Sequence, residues 1–130
     1  MSEPIIYIDR SEVRDGKLDE LKRAMRELAA LVEANEPRLG AYRVYFTKDG
    51  TRMTVIHTHA DSASLELHMK VAGPAFPRFV DLVRLLTIDV YGGPSAVLMQ
   101  AIRDKAALLG SATVTLHELG AGFARPTRAD

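Results

Sequence analysis

Ala41-Tyr-Arg-Val-Tyr-Phe-Thr-Lys48, then Asp49-Gly50, then Thr51-Arg-Met-Thr-Val-Ile-His-Thr-His59 is the stretch whose reading organises the rest of the chain. Two runs rich in β-branched and aromatic residues flank Asp-Gly, the pair favoured where a two-residue hairpin loop demands positive φ. Such a loop also fixes register. Lys48 faces Thr51, so Phe46 lies opposite Met53, Val44 opposite Val55 and Tyr42 opposite His57, all on one sheet face. Arg43 with Ile56 and Tyr45 with Thr54 fall on the other. The first face is apolar and suits packing against helices; the second is mixed.

Working outward, residues 4–10 (Pro-Ile-Ile-Tyr-Ile-Asp-Arg) read as a strand and 11–16 as its exit loop. Leu18, Leu21, Met25, Leu28 and Val32 recur at helical spacing over 17–36, with Asp15-Gly16 before the helix and Pro37 after it. Asp61 is placed to cap a helix reaching about Val71, in which Leu65, His68, Met69 and Ala72 share the buried side. Gly73-Pro74 ends it. Residues 76–86 read as another helical stretch, 87–91 as a strand, 95–109 as a helix closed by Gly110, and 112–119 as a last strand.

This order predicts an α+β fold: a ferredoxin-like βαββαβ antiparallel sheet with helices on one face, plus a C-terminal helix and strand. The 130 residues suit one domain, with a core over 1–91, a helix-strand extension over 92–119 and a flexible tail over 120–130. Seventeen basic and 17 acidic side chains balance, which argues against nucleic acid as a partner. Zero cysteines exclude a disulfide framework, thiol catalysis and thiolate metal sites. Neither a signal peptide nor a run of about 20 apolar residues is present, so the expectation is a cytoplasmic protein that does not engage membranes.

Continuing the alternation assigns Ile6, Ile8, Val44, Phe46, Val55, Ile88, Val90, Val114 and Leu116 to the helix side. The opposite face then collects Ile5, Tyr7, Asp9, Arg43, Tyr45, Thr54, Ile56, Asp89, Tyr91 and His117. That mixture is too aromatic for a face left in water and too polar for a dry core. It predicts a homodimer whose second sheet face lines a cavity.

Three pieces, in order, resemble the antibiotic biosynthesis monooxygenase family of dimeric α+β barrels. They are Gly16-Lys-Leu-Asp-Glu-Leu entering the first helix, Glu36-Pro37 followed by Gly40-Ala-Tyr-Arg-Val-Tyr45, and Ala60-Asp-Ser-Ala-Ser-Leu-Glu-Leu-His68. The resemblance extends to about Tyr91. It implies a dimer, a pocket between sheet and helices, and oxygenation of polycyclic phenols or quinols with no metal or bound flavin, hence no cofactor. Many members carry a glutamate and a tryptophan two residues apart at the end of the third strand. This chain has His57 and His59 there and no tryptophan anywhere, which argues against haem degradation.

His57 and His59 share one strand face, a spacing that metal sites use, and His68 could be a third ligand. With no carboxylate to complete the set on that side, the favoured reading is partly buried, hydrogen-bonded histidines and no metal. His68 is the candidate base: burial disfavours a charged imidazolium, and a neutral ring can accept a phenolic proton. It could equally be a packing histidine. Arg43 is the candidate charge that stabilises the resulting anion, or else a structural partner of Asp9 or Asp89. Tyr7, Asp9, Tyr45, Ile56, Asp89 and Tyr91, with His57 and His59, complete the expected binding set for a small hydrophobic aromatic ligand. The expected function is a cofactor-independent monooxygenase acting on a planar phenol, quinol or anthrone. The alternative is a non-catalytic small-molecule-binding or stress-associated dimeric barrel protein.

Overall fold

A computed structural model of the protein describes residues 3–125. Strand β1 (Ile5–Val13) is followed by helix α1 (Leu18–Asn35) and the hairpin β2 (Leu39–Phe46) and β3 (Arg52–His59). Helix α2 (Ser62–Ala72) runs into a 3₁₀ segment (Gly73–Asp81), then come β4 (Val83–Tyr91), α3 (Ala96–Leu109) and β5 (Thr113–His117). The sheet order is β2-β3-β1-β4-β5, with β5 parallel to β4 and every other pair antiparallel. This is the expected ferredoxin-like α+β topology, extended at one edge. Leu98 and Ile102 of α3 are fully buried, so the extension shares the core of the first four strands. Residues 126–130 of the expected tail lie outside the described residues. No described helix is long and apolar enough to cross a membrane.

The hairpin has the register that its loop dictates: Phe46 pairs with Met53, Val44 with Val55 and Tyr42 with His57. Gly50 sits at φ +74°, a left-handed conformation that favours glycine, and a Cβ there would come within 2.7 Å of the tip of the Leu18 side chain, which would have to shift. Asp49 accepts hydrogen bonds from the Thr51 amide (3.0 Å) and from the Thr47 and Thr51 hydroxyls (2.7 and 2.8 Å). Those bonds hold its carboxyl down to about 2.

Helix α1 forms because Leu21, Ala24, Met25, Leu28 and Val32 make one buried stripe, with Asp19 and Glu20 in the first turn where the helix dipole favours them. Each buried leucine on that stripe contributes about 1.5–3 kcal/mol relative to an exposed one. Asp61 caps α2 by accepting from the Ser64 amide (2.9 Å), and Ser95 caps α3 by accepting from the Leu98 amide (3.1 Å).

Two expectations change. Strand β1 continues to Val13, and its faces are the reverse of the expected ones: Ile5, Tyr7, Asp9 and Ser11 point under the helices, while Ile6 is 41% exposed. Pairing explains it. Ile5, Tyr7, Asp9 and Ser11 stand opposite His59, His57, Val55 and Met53, the helix-side residues of β3, and directly opposed residues share a face. Residues 76–86 are not one helix. Pro74 and Pro77 confine the first part to 3₁₀ turns, and Val83 onward pairs with β1. A bulge between Arg10 and Ser11 lets Val83 and Leu85, and then Ile88 and Val90, all face the core.

Candidate functional site

A cavity of about 40 Å³ lies between the sheet and the helices, walled by Asp9, Tyr42, His57, His68, Lys105 and apolar side chains including Phe76 and Phe79. That volume holds a few water-sized molecules. Three buried polar groups meet around it.

The first comes from β1 and α3. Tyr7 Oη donates to Asp9 Oδ2 (2.9 Å) and accepts from Lys105 Nζ (2.8 Å), which also bonds Asp9 (3.0 Å). Lys105 stands over the Tyr7 and Phe76 rings at 4.9 and 4.7 Å from their centroids. Burial first, and then the Asp9 charge, push the Tyr7 phenol well above its ordinary value, so its proton stays in place.

The second joins α2 to the end of α1. His68 Nδ1 lies 3.1 and 3.0 Å from the two Glu36 carboxylate oxygens, and both side chains are 2% exposed. With Nδ1–H donating to the carboxylate, Nε2 is left as the ring's free acceptor.

The third is a chain of neutral groups: His57 Nδ1 to His59 Nε2 at 2.7 Å, then His59 Nδ1 to Ser64 Oγ at 2.8 Å. His57 Nε2 is buried with no partner among the described residues. Ser64 can donate to His59, which makes His57 Nε2 a donor, or accept from it, which makes His57 Nε2 an acceptor. Burial is the main force holding both rings uncharged. It lowers His57 well below the usual imidazole value, with the neighbouring His68, His59 and Lys105 adding to the effect. It takes His59 down to about 3, aided by His68. The His57 ring sits centrally, with centroids of Tyr7 at 4.2 Å, His68 at 4.6 Å and Tyr42 at 5.2 Å.

Of the residues singled out in the sequence, Tyr7, Asp9, His57 and His68 therefore converge, with His59 one step behind. Tyr7 and Asp9 do so from the helix side, not from the face to which alternation assigned them. Arg43, Tyr45, Ile56, Asp89 and Tyr91 lie on the opposite sheet face, away from this cavity. Arg43 is exposed, with Nη1 3.5 Å from the Tyr45 hydroxyl; it pairs with neither Asp9 nor Asp89. Asp89 instead bonds Arg10 (3.2 Å) and His117 (2.8 Å), and Tyr91 stacks on His117 at 4.2 Å. The strands' strict alternation accounts for this split, because Arg43, Ile56 and Asp89 belong to the set that points away from the helices.

Sequence reasoning passed over Glu36, Lys105, Tyr42 and Ser64 as site residues. Two of them carried a signal. Glu36 is the next step of the stripe Leu21, Met25, Leu28 and Val32, and Lys105 follows Ile102 by three on the buried side of α3. A charged residue on an apolar helical stripe needs a buried partner, and each of these has one.

No protein-family model and no curated protein sequence matches the chain. Solved structures do match its fold. MupZ from Pseudomonas fluorescens is similar with a TM-score of 0.74 at 17% identity, over 99% of this chain and 100% of that one. Its likeness therefore includes α3 and β5. SnoaB from Streptomyces nogalater, a cofactor-independent oxygenase, is similar with a TM-score of 0.60 at 14% identity, over 74% of this chain and 98% of that one. A candidate antibiotic biosynthesis monooxygenase from Caulobacter crescentus gives 0.50 at 26% identity, over 57% of this chain and 76% of that one. The chain has a monooxygenase-like, ferredoxin-like α+β fold.

Proposed function

We propose that the protein is a cofactor-independent monooxygenase that removes a proton from a small planar phenol, quinol or anthrone-like substrate in the cavity between sheet and helices. The observation that carries this reading is the buried His68–Glu36 pair, a carboxylate-backed imidazole in a cavity wall, which is the arrangement of a general base. The cationic role expected of Arg43 falls to Lys105, which can stabilise an anion beside Tyr7. Dioxygen then attacks the electron-rich carbon. An activated CH₂ becomes C=O, one oxygen atom enters the product and the other leaves as water. All four electrons come from that carbon, so no external reductant is consumed. The likeness to SnoaB supports the oxygenase half of this reading.

A 40 Å³ space is far below the roughly 300 Å³ of a small ligand site, so a ring enters with outward movement of Phe76 and Phe79 on the 3₁₀ segment. The open sheet face, where Ile6 and Tyr45 are 41% and 48% exposed, suits the homodimer contact, and sedimentation at micromolar concentration tests that part. A monomer would overturn it.

Oxygen uptake with anthrone and a panel of quinols tests the reaction. Uptake matched to product, falling about 10²-fold or more in His68→Ala, is expected. No uptake with any of them contradicts it. Aromatic binding with no turnover would instead support the binding-protein reading, which the cavity and its His57 Nε2, without a hydrogen-bond partner among the described residues, also accommodate.

A further inference from the structure

His57 is 1% exposed, lines the cavity, and has no hydrogen-bond partner for Nε2 among the described residues. A buried polar atom left unmatched costs about 1–3 kcal/mol, which makes it a natural contact for whatever enters the cavity. Whether it donates or accepts follows from the far end of its chain. The buried Ser64 hydroxyl has His59 Nδ1, at 2.8 Å, as its one hydrogen-bond partner among the described residues. A hydroxyl carries one proton and two lone pairs. If it accepted from His59, its own proton would be buried without an acceptor. If it donates, only a lone pair stays idle, a shortfall that proteins tolerate more readily. Ser64 therefore donates to His59 Nδ1, His59 Nε2–H donates to His57 Nδ1 across 2.7 Å, and His57 Nε2 is left holding a proton. Burial keeps both rings uncharged, so this order of protons holds at neutral pH.

From this geometry we infer that His57 is a further catalytic residue, whose Nε2–H donates to the substrate oxygen on which negative charge collects as the proton moves to His68 Nε2. The inference rests on the proton-abstraction reading and narrows its substrate class to rings whose acidic position is conjugated to an oxygen. In a phenol or quinol that oxygen is the one losing its proton; in an anthrone it is the carbonyl oxygen. The His57 and His68 rings both line the cavity, 4.6 Å apart between centroids. One supplies a donor, while the other, its Nδ1 turned to Glu36, supplies an acceptor. A donor already fixed in place needs no reorganisation as charge develops, and it is worth more in a site shielded from water than in solvent. Lys105 adds positive charge to the same wall, but it already bonds Tyr7 and Asp9. A plain hydrocarbon ring would leave His57 Nε2 unpaired, so the site discriminates against it.

Nuclear magnetic resonance of the full-length, ¹⁵N-histidine-labelled protein at neutral pH reads the tautomer with no ligand and no substitution. His57 should carry its proton on Nε2; a proton on Nδ1 instead overturns the inference. Binding of anthraquinone and anthracene, planar three-ring molecules that differ in two carbonyl oxygens, then tests the contact. The preference for anthraquinone over anthracene should fall about fivefold or more in His57→Phe, which keeps a ring and removes the donor. An unchanged preference in a folded His57→Phe overturns the inference, as does failure of the wild type to bind either molecule. Deuterium uptake at the acidic carbon of anthrone separates this result from the reading beneath it. Uptake that needs His68 but runs at the wild-type rate in His57→Phe keeps proton abstraction and overturns the role of His57. No uptake in the wild type, with the anthraquinone preference present and dependent on His57, fails the abstraction reading and keeps the oxygen contact.

Discussion

His68 Nδ1 stands 3.0 Å from Glu36 Oε2, joining residues 32 positions apart beneath the sheet with both side chains closed off from water. Removing one member leaves the other buried without its partner, at a cost of about 3–5 kcal/mol. Glu36→Leu alone should lower the unfolding free energy by about that much. The double substitution Glu36→Leu with His68→Leu should recover most of it. Urea denaturation of the four proteins of this cycle is the check, and a loss in the double variant equal to the sum of the two single losses would show the pair to be uncoupled.

Lys105 makes a parallel case. With its side chain 10% exposed and Asp9 5%, Lys105→Met strands a carboxylate under the sheet. A loss of about 3–5 kcal/mol is expected, smaller when Asp9→Leu is added. In the oxygen-uptake assay Lys105→Met should slow turnover of anthrone, whereas Arg43→Ala, on the other face, should stay within about twofold of wild type. A large effect of Arg43→Ala would return the reaction to the open face.

The histidine chain makes stability depend on acid. His57 and His59 bind protons less readily folded than unfolded, chiefly because burial disfavours the charged ring. The unfolded chain therefore takes up protons first, and their contribution to stability is whole above the ordinary imidazole value of 6.5. It is lost as pH falls from there toward about 3, where His59 charges in the folded chain. Denaturant midpoints should fall steadily across that window. His59→Gln should flatten the slope, and an unaltered slope would count against a neutral His59.

Phe79 separates packing from access. It is 4% exposed and lines the cavity, so Phe79→Ala should cost about 3–5 kcal/mol in stability. If the 3₁₀ segment controls admission, the enlarged cavity should bind anthrone more tightly, which fluorescence titration reads directly. Weaker binding would place access elsewhere.

Much of the fold was legible because local chemistry and tertiary structure agree. Asp49-Gly50 dictated a register that seats His57 beside Tyr42, and helical spacing put His68 on the buried side of α2. Strand β1 was misassigned because Ile5-Ile6-Tyr7-Ile8 is apolar at every position, so alternation has no phase there. Only pairing with β3 supplies one. Asp9 was assigned to the face away from the helices for the same reason; its partner Lys105 is 96 residues away. The bulge that shifts β4 against β1 likewise leaves no local mark, and Leu82, Val83 and Leu86 fit a helical period as well as a strand. Glu36 and Lys105 were readable in principle, as charges interrupting apolar stripes.

The central claim is that a proton is removed in the cavity beneath the helices, by His68. Anaerobic incubation with anthrone in deuterated water, followed by mass spectrometry of the recovered anthrone, isolates that step from any reaction with oxygen. Wild type and Arg43→Ala should both speed deuterium uptake at the acidic carbon above the buffer rate, and His68→Gln should return it to that rate. Uptake that survives in His68→Gln, or disappears in Arg43→Ala, would contradict the account.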